Sequence, residues 1–289
     1  MTSIAKPMED KVCLITGATS GIGRVAALEL ARQGACVVIV GRDQARCEAV
    51  VREITAQTGN ERVEALLADL SSQQQIRGLA DQFRGRYDRL DVLVNNAGAI
   101  WLQRLLTVDG LEMTFAVNHL AYFLLTMLLL DALKKGTAAR IVNVASEAHR
   151  RGSIEFDDPM LEHGYGGWRA YCQSKLANLL FTYELDRRLE GKGITVNALH
   201  PGWVATGFAS RNGWRGWVMQ QAARFFALSP ARGAQTINYL ATSPDVSGTG
   251  GRYFIRCKAV PSSPASNDPA AARRLWQLSQ QLTGAPASS

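Results

Sequence analysis

The chain has 289 residues, 47% hydrophobic and 20% charged, which gives enough apolar mass for a large core and excludes a disordered chain. Its formal charge of +7 is spread without a block of about five or more basic residues, which argues against a nucleic-acid-binding tract. Cys13, Cys36, Cys47, Cys172 and Cys257 form no Cys-x-x-Cys pair, and His119, His149, His163 and His200 show no ligand spacing. Neither a metal site nor a disulfide framework is therefore indicated, and free thiols fit a reducing, cytoplasmic setting.

Residues 1–10 read as a short extension without an apolar signal segment. A strand is predicted over 12–15, then a helix over 21–33 with Ile22, Val25, Ala26, Leu28, Leu30 and Ala31 weighted to one face. The continuous apolar run 36–40 predicts a strand covered on both faces. A polar helix over 44–57, a strand over 63–68 and a helix over 71–87 follow, the last capped by Ser71 or Ser72. After a strand at 92–94 comes an apolar helix over 118–133. Its longest apolar stretch, 120–130, is interrupted by Tyr122 and Thr126 and falls short of the roughly 18 residues a membrane span needs, so it reads as buried. A strand at 140–144, a helix at 168–189, a strand at 194–198, a helix near 230–240 and a short strand near 253–255 complete the pattern. The tail 261–289 is rich in Ala, Ser and Pro, with a helix possible over 269–282 and loose last residues.

Strand and helix alternate with the right-handed crossovers of a parallel sheet. The expected architecture is one α/β domain over 11–260, a doubly wound, Rossmann-type parallel sheet of about seven strands with helices on both faces.

The first strand runs into Thr16-Gly17-Ala18-Thr19-Ser20-Gly21-Ile22-Gly23 and then a helix. Glycines allow a sharp turn and close approach of a pyrophosphate, and a helix N-terminus offers free N–H groups to it. The spacing Gly-x-x-x-Gly-x-Gly differs from the commoner Gly-x-Gly-x-x-Gly. The second strand ends Val40-Gly41-Arg42, with no acid placed to bond an adenosine 2′-hydroxyl. Arg42 can pair instead with a 2′-phosphate, so NADP(H) is expected ahead of NAD(H), and Asp43 reads as a helix cap.

Tyr171 and Lys175 stand four apart near the start of a helix, on one face. A free tyrosine has a pKa of about 10, and a neighbouring ammonium together with an oxidised nicotinamide would lower it toward acid–base service. Ser146 follows the fifth strand, where its hydroxyl could bond a substrate oxygen. Asn95-Asn96-Ala97-Gly98 follows the fourth strand, Asn118 opens the apolar helix, and His200-Pro201-Gly202-Trp203-Val204-Ala205-Thr206 follows the sixth strand. All fall at the carboxyl edge of one sheet, where such sheets bind ligands.

This set resembles the short-chain dehydrogenase/reductase family over roughly residues 10–257. The segments 117–120, 142–144, 170–178 and 233–236, with Ser247-Gly248 leading to Gly251-Arg252-Tyr253-Phe254, resemble its retinol dehydrogenase branch. The resemblance implies a catalytic set of Asn118, Ser146, Tyr171 and Lys175. Tyr171 would be general acid in reduction and base in oxidation. Lys175 would tune it and hold the nicotinamide ribose. Ser146 would polarise the carbonyl, and Asn118 would hold a water in a proton relay. It further implies that Thr16, Gly17, Ser20, Gly21, Ile22 and Gly23 wrap the pyrophosphate. Asp69 and Leu70 would contact adenine, Asn96, Ala97 and Gly98 the adenosine ribose and neighbouring cofactor, and Pro201, Gly202, Val204 and Thr206 the nicotinamide. Ala145-Ser146 stands where many relatives have Ser-Ser, and spacing to Tyr171 gives the role to Ser146. Retinol-active animal relatives usually carry an N-terminal membrane anchor, which residues 1–10 do not resemble.

Residues about 204–228 correspond to the family's substrate lid, and Trp214, Trp217, Val218, Phe225 and Phe226 predict an apolar aldehyde, ketone, alcohol or retinoid-like substrate. With Arg211, Arg215 and Arg224 the segment is also amphipathic, so peripheral membrane contact is the second reading behind packing on its own domain. In relatives the long helices form a dimer interface, and the resemblance implies a homo-oligomer. A non-catalytic NADP-binding sensor or scaffold on the same fold is the alternative function, and loss of a catalytic residue would favour it.

Overall fold

The computed structural model describes residues 6–202 and 229–286, and in it the apolar runs become the strands of one eight-stranded sheet. These are β1 (Val12–Thr16), β2 (Cys36–Gly41), β3 (Val63–Leu67), β4 (Val92–Asn95), β5 (Arg140–Val144), β6 (Thr195–His200), β7 (Arg252–Ile255) and β8 (Lys258–Val260). The order is β3-β2-β1-β4-β5-β6-β7-β8, and every neighbouring pair is parallel except β7–β8. The expected doubly wound sheet is thus present, with one strand more than anticipated. β7 and β8 join through a two-residue turn in which Arg256 and Cys257 take φ of 51° and 61°. Such turns usually announce themselves by Asn-Gly or Asp-Gly, and here nothing in the residue types does so.

Successive residues along the strands enter opposite cores, as a pleated strand covered on both faces requires. Leu14 and Val38 pack in one core with Leu79, Phe83, Leu129 and Phe181, whereas Ile15 and Ile39 pack in the other with Ala26, Leu30, Ile237 and Leu240. The covering helices are α1 (Gly21–Arg32), α2 (Gln44–Thr58), α3 (Gln73–Arg86), α4 (Ala121–Lys134), α5 (Gly167–Arg188), α6 (Pro230–Thr242) and α7 (Pro269–Thr283). Side-chain caps fix several starts: Asp43 accepts from the Arg46 N–H, Ser72 from Gln75, and Asp268 from Ala270 and Ala271.

The helix expected from Asn118 begins earlier. A turn of α-helix at Met113–Phe115 and a π-helical turn at Ala116–Leu120 lead into α4. The run Met113–Lys134 contains an 18-residue window of mean hydropathy 1.7 and is long and apolar enough to cross a membrane, yet that window is mostly buried within the fold.

The tail is no appendage. The Trp276 ring on α7 stands edge-on to Phe123 at 5.0 Å and tilted against Phe181 at 6.0 Å, with the Arg188 guanidinium 4.2 Å from its centre. The boundary expected at residue 260 therefore separates no packing unit. Val204, Thr206 and the whole lid at about 204–228 lie outside the described residues.

Candidate active site

β1 and β4 lie side by side at the point where the strand order reverses, and the crevice between their carboxyl ends is where the candidate residues meet. The Thr16 hydroxyl, buried at the end of β1, accepts from the backbone N–H groups of Asn96 at 2.9 Å and Ala97 at 3.1 Å. The Asn96 amide donates back to the carbonyls of Thr16 (2.8 Å) and Gly17 (3.2 Å). These two side chains bind the loops to each other. The Thr16 hydroxyl is thus turned into the protein, toward the loop after β4.

Gly17 and Gly21 have φ of +66° and +57°, which favours residues without a Cβ. At Gly23 a Cβ would lie 2.5 Å from the Asn96 amide and 2.6 Å from the Gly17 carbonyl, so the helix start presses directly on the loop. Ser20, at the N-cap of α1, makes no side-chain cap bond, unlike Asp43 and Ser72. Its helix keeps an N-terminus open to an anion.

At the end of β2, a Cβ on Gly41 would fall 2.5 Å from the Thr19 side chain and 2.6 Å from the Cys47 sulfur. A side chain there would force the Thr19 and Cys47 side chains to move. Arg42 is half exposed, with its guanidinium 3.8 Å from the Asp69 carboxylate. Asp69 in turn accepts from the Ser71 N–H and hydroxyl at 3.0 and 2.8 Å, while Leu70 is buried in the core behind it.

Ser146 caps the 3-10 helix Glu147–Arg151, its hydroxyl accepting from the Ala148 N–H at 3.2 Å. Across from it, Tyr171 and Lys175 are both buried on one face of α5. The Tyr171 and Ser146 side chains are hydrogen-bonded. The Lys175 ammonium donates to the Val144 carbonyl at 2.9 Å and lies 5.6 Å from the centre of the Tyr171 ring. Burial pushes the Tyr171 phenol above its ordinary range, with the Ser146 bond opposing, and burial pushes Lys175 down to about 7. The lowered phenol pKa expected from the neighbouring ammonium is not what the protein alone provides, because desolvation outweighs it.

Asn118 sits in the π-turn, a feature frequent at functional sites. Both hydrogens of its amide are used, one to the Ala99 carbonyl at 2.9 Å and one to the Ser174 hydroxyl at 3.0 Å, and its oxygen accepts from the Ala99 N–H at 2.9 Å. Its side chain thus ties the loop after β4 to α5. A Cβ on Gly98 would lie 3.2 Å from the Asn118 oxygen and 3.5 Å from the Lys175 nitrogen, which brings that loop against the cluster. Pro201 and Gly202, the latter with φ of +86°, follow β6 on the far side of β5.

Some participants carried no assigned role in the sequence. Asn178 donates to the same Val144 carbonyl as Lys175, at 3.4 Å, and its position one turn after Lys175 was the available signal. The neighbouring His119 bonds Asn178 at 3.3 Å and Ser279 of α7 at 2.9 Å. An open cleft of about 860 Å3 lies at the opposite edge of the sheet, lined by Arg140, Asp186, Gly250 and Asp268 among others, and includes none of these site residues.

Comparison with known proteins accords with this arrangement. The short chain dehydrogenase family matches residues 11–214. The chain belongs to that family. It is 43% identical to human retinol dehydrogenase 13 over 285 residues, covering 96% of this chain and 86% of the relative. It is equally 43% identical to human retinol dehydrogenase 14, over 96% of this chain and 87% of the relative. A solved structure of an uncharacterised protein from Mycobacterium paratuberculosis superposes with a TM-score of 0.79 at 36% identity, covering 96% of each chain. A short chain dehydrogenase from Escherichia coli CFT073, complexed with NADPH, matches with a TM-score of 0.69 at 26% identity over 89% of this chain and all of that one. This short-chain dehydrogenase therefore stands in the retinol dehydrogenase branch, an oxidoreductase of alcohol and carbonyl groups.

Proposed function

We propose that the protein moves a hydride between NADP(H) and the carbonyl or alcohol carbon of an apolar small molecule. The observation that carries the reading is the meeting of Ser146, Tyr171 and Lys175 beside Gly98 at the strand-order reversal. The glycine loop and the open start of α1 fit a pyrophosphate, and Gly17, Ser20, Gly21, Ile22 and Gly23 would hold it. Arg42 would meet a 2′-phosphate, and Gly41 before it supplies no carboxylate for an adenosine 2′-hydroxyl. Bound NADPH supplies the hydride.

In reduction, Tyr171 gives its phenolic proton to the carbonyl oxygen as the carbon is reduced. Ser146 bonds that oxygen and steadies its developing charge. Lys175, held by the Val144 carbonyl, favours the phenolate left behind. Asn118 contributes by fixing the loop at Ala99 against α5. A relay water there would be held by backbone, since the amide of Asn118 is engaged. The apolar substrate is supported by the aromatic residues Trp214, Trp217, Phe225 and Phe226, and by the retinol dehydrogenase names of the relatives.

The test is a screen of NADPH oxidation against aldehydes, ketones, quinones and retinoids, repeated with NADH. Turnover with NADPH well above NADH is expected. A strong NADH preference overturns the role of Arg42. Tight NADPH binding with no turnover on any class would favour a binding protein instead.

A further inference from the structure

Immediately behind Ser146 lies a polar cluster that the proposed reaction does not use. His149 is fully buried in the 3-10 helix that Ser146 caps. Its Nδ1 lies 2.6 Å from the Ser146 carbonyl oxygen, and the Ser263 backbone N–H points at its Nε2 at 3.1 Å. These partners fix the tautomer. An amide N–H can only donate, so Nε2 carries the lone pair; a carbonyl can only accept, so Nδ1 carries the proton.

The Ser146 carbonyl thus accepts twice from one residue, from the ring and from the His149 backbone N–H at 3.1 Å. The ring itself is held from outside. It stands edge-on to Tyr253 of β7 at 5.0 Å, and the Tyr253 hydroxyl donates to Glu147 at 2.8 Å. Glu147 also accepts from Arg150 at 2.9 Å, and Arg150 donates to the Pro261 carbonyl at 2.8 Å. The turn that carries Ser146 is therefore braced on β7 and on the segment after β8.

We propose that His149 is a positioning residue. Its ring clamps the Ser146 peptide against the Ser263 peptide and so aims the Ser146 hydroxyl at Tyr171. The proposal rests on the reaction described above. Its rival is a ring that only fills space, with equal burial but no directional demand.

Three variants of the full chain separate the two: His149→Asn, His149→Gln and His149→Ala. Asparagine places an amide N–H near the Nδ1 position, while glutamine reaches toward the Nε2 position and keeps only the Ser263 bond. Steady-state kinetics at saturating NADPH, NADPH affinity and thermal midpoints are measured for each. The Asn variant is expected to keep kcat within ~3-fold, and the Gln and Ala variants to lose ~10-fold, with NADPH affinity unchanged throughout. A Gln variant as active as the Asn variant overturns the clamp, as does a kcat that simply follows the thermal midpoint. If the Ala variant does not fold, the Asn–Gln comparison decides alone. A wild type that reduces no carbonyl overturns the reaction and not the clamp, which is also read without turnover from the 15N shifts of the His149 ring. The neutral ring is expected as the Nδ1–H tautomer in spectra taken near pH 8, and the Nε2–H tautomer overturns the proposal.

Discussion

Tyr171 and Lys175 are buried together, and burial acts against the charged form of each. The phenol is therefore held protonated, and on the proposed reading its conversion to phenolate draws on Ser146, Lys175 and the bound cofactor. Tyr171→Phe removes the proton but little volume. Its kcat should fall by ~100-fold or more with NADPH affinity retained, which steady-state and binding measurements on one preparation would reveal. Normal turnover would refute the mechanism. On the proposed reading Arg42 meets the 2′-phosphate of the cofactor. Arg42→Gln should raise KM for NADPH by ~10- to 100-fold and leave KM for NADH within ~3-fold, the size expected for lost charge-assisted hydrogen bonds. The residue types, their spacing and the family resemblance made these groups legible. The direction of the Tyr171 shift was not legible, because desolvation depends on what the fold packs around the ring. The inward turn of the Thr16 hydroxyl was hidden for a related reason: the sequence places Thr16 in the loop, and only the fold shows its hydroxyl bonded to Asn96.

Among the elements, the cofactor loop is defined by what cannot be added to it. Gly23→Ala would drive a methyl group into the Gly17 carbonyl and the Asn96 amide, both of which shape the loop. Overpacking of this kind costs about 1–3 kcal/mol. NADPH titration by fluorescence should therefore show weaker binding, together with a lower thermal midpoint; wild-type binding would mean that the loop yields. The strands and long helices were readable from their apolar periods, and the cap of α2 from Asp43. β8 was not, since its turn uses Arg256 and Cys257 in a conformation those residue types seldom signal. Nor was the π-turn at Ala116–Leu120, since an apolar helical pattern looks alike whether the backbone is α or π over one turn.

The molecule as a whole is closed by α7. On α4 only Asp131 is exposed, with Leu128 and Lys134 partly so, because α3, the sheet and, at Phe123, the Trp276 ring cover the rest. Trp276→Ala should cost about 3–5 kcal/mol in chemical denaturation, as large aromatic truncations in cores do. Acid should also act through this layer. Burial lowers His119 to about 4, so between about pH 6.5 and 4 the unfolded chain binds a proton that the folded chain does not. Stability from this group is full above that window and lost as pH falls through it, by about 3 kcal/mol. His119→Gln keeps polar contacts without titrating. Its thermal midpoint should fall less between pH 6.5 and about 4.5 than the wild type's, and equal slopes would exclude His119 as the source. The position of α7 also sets an order of events during synthesis. Phe123 and Phe181 leave the ribosome well before Trp276 exists to cover them. The nascent sheet with α4 and α5 must persist with an apolar flank in water until the final turns are translated. Recovery of soluble protein should therefore fall more steeply with growth temperature in a Trp276→Ala variant than in the wild type.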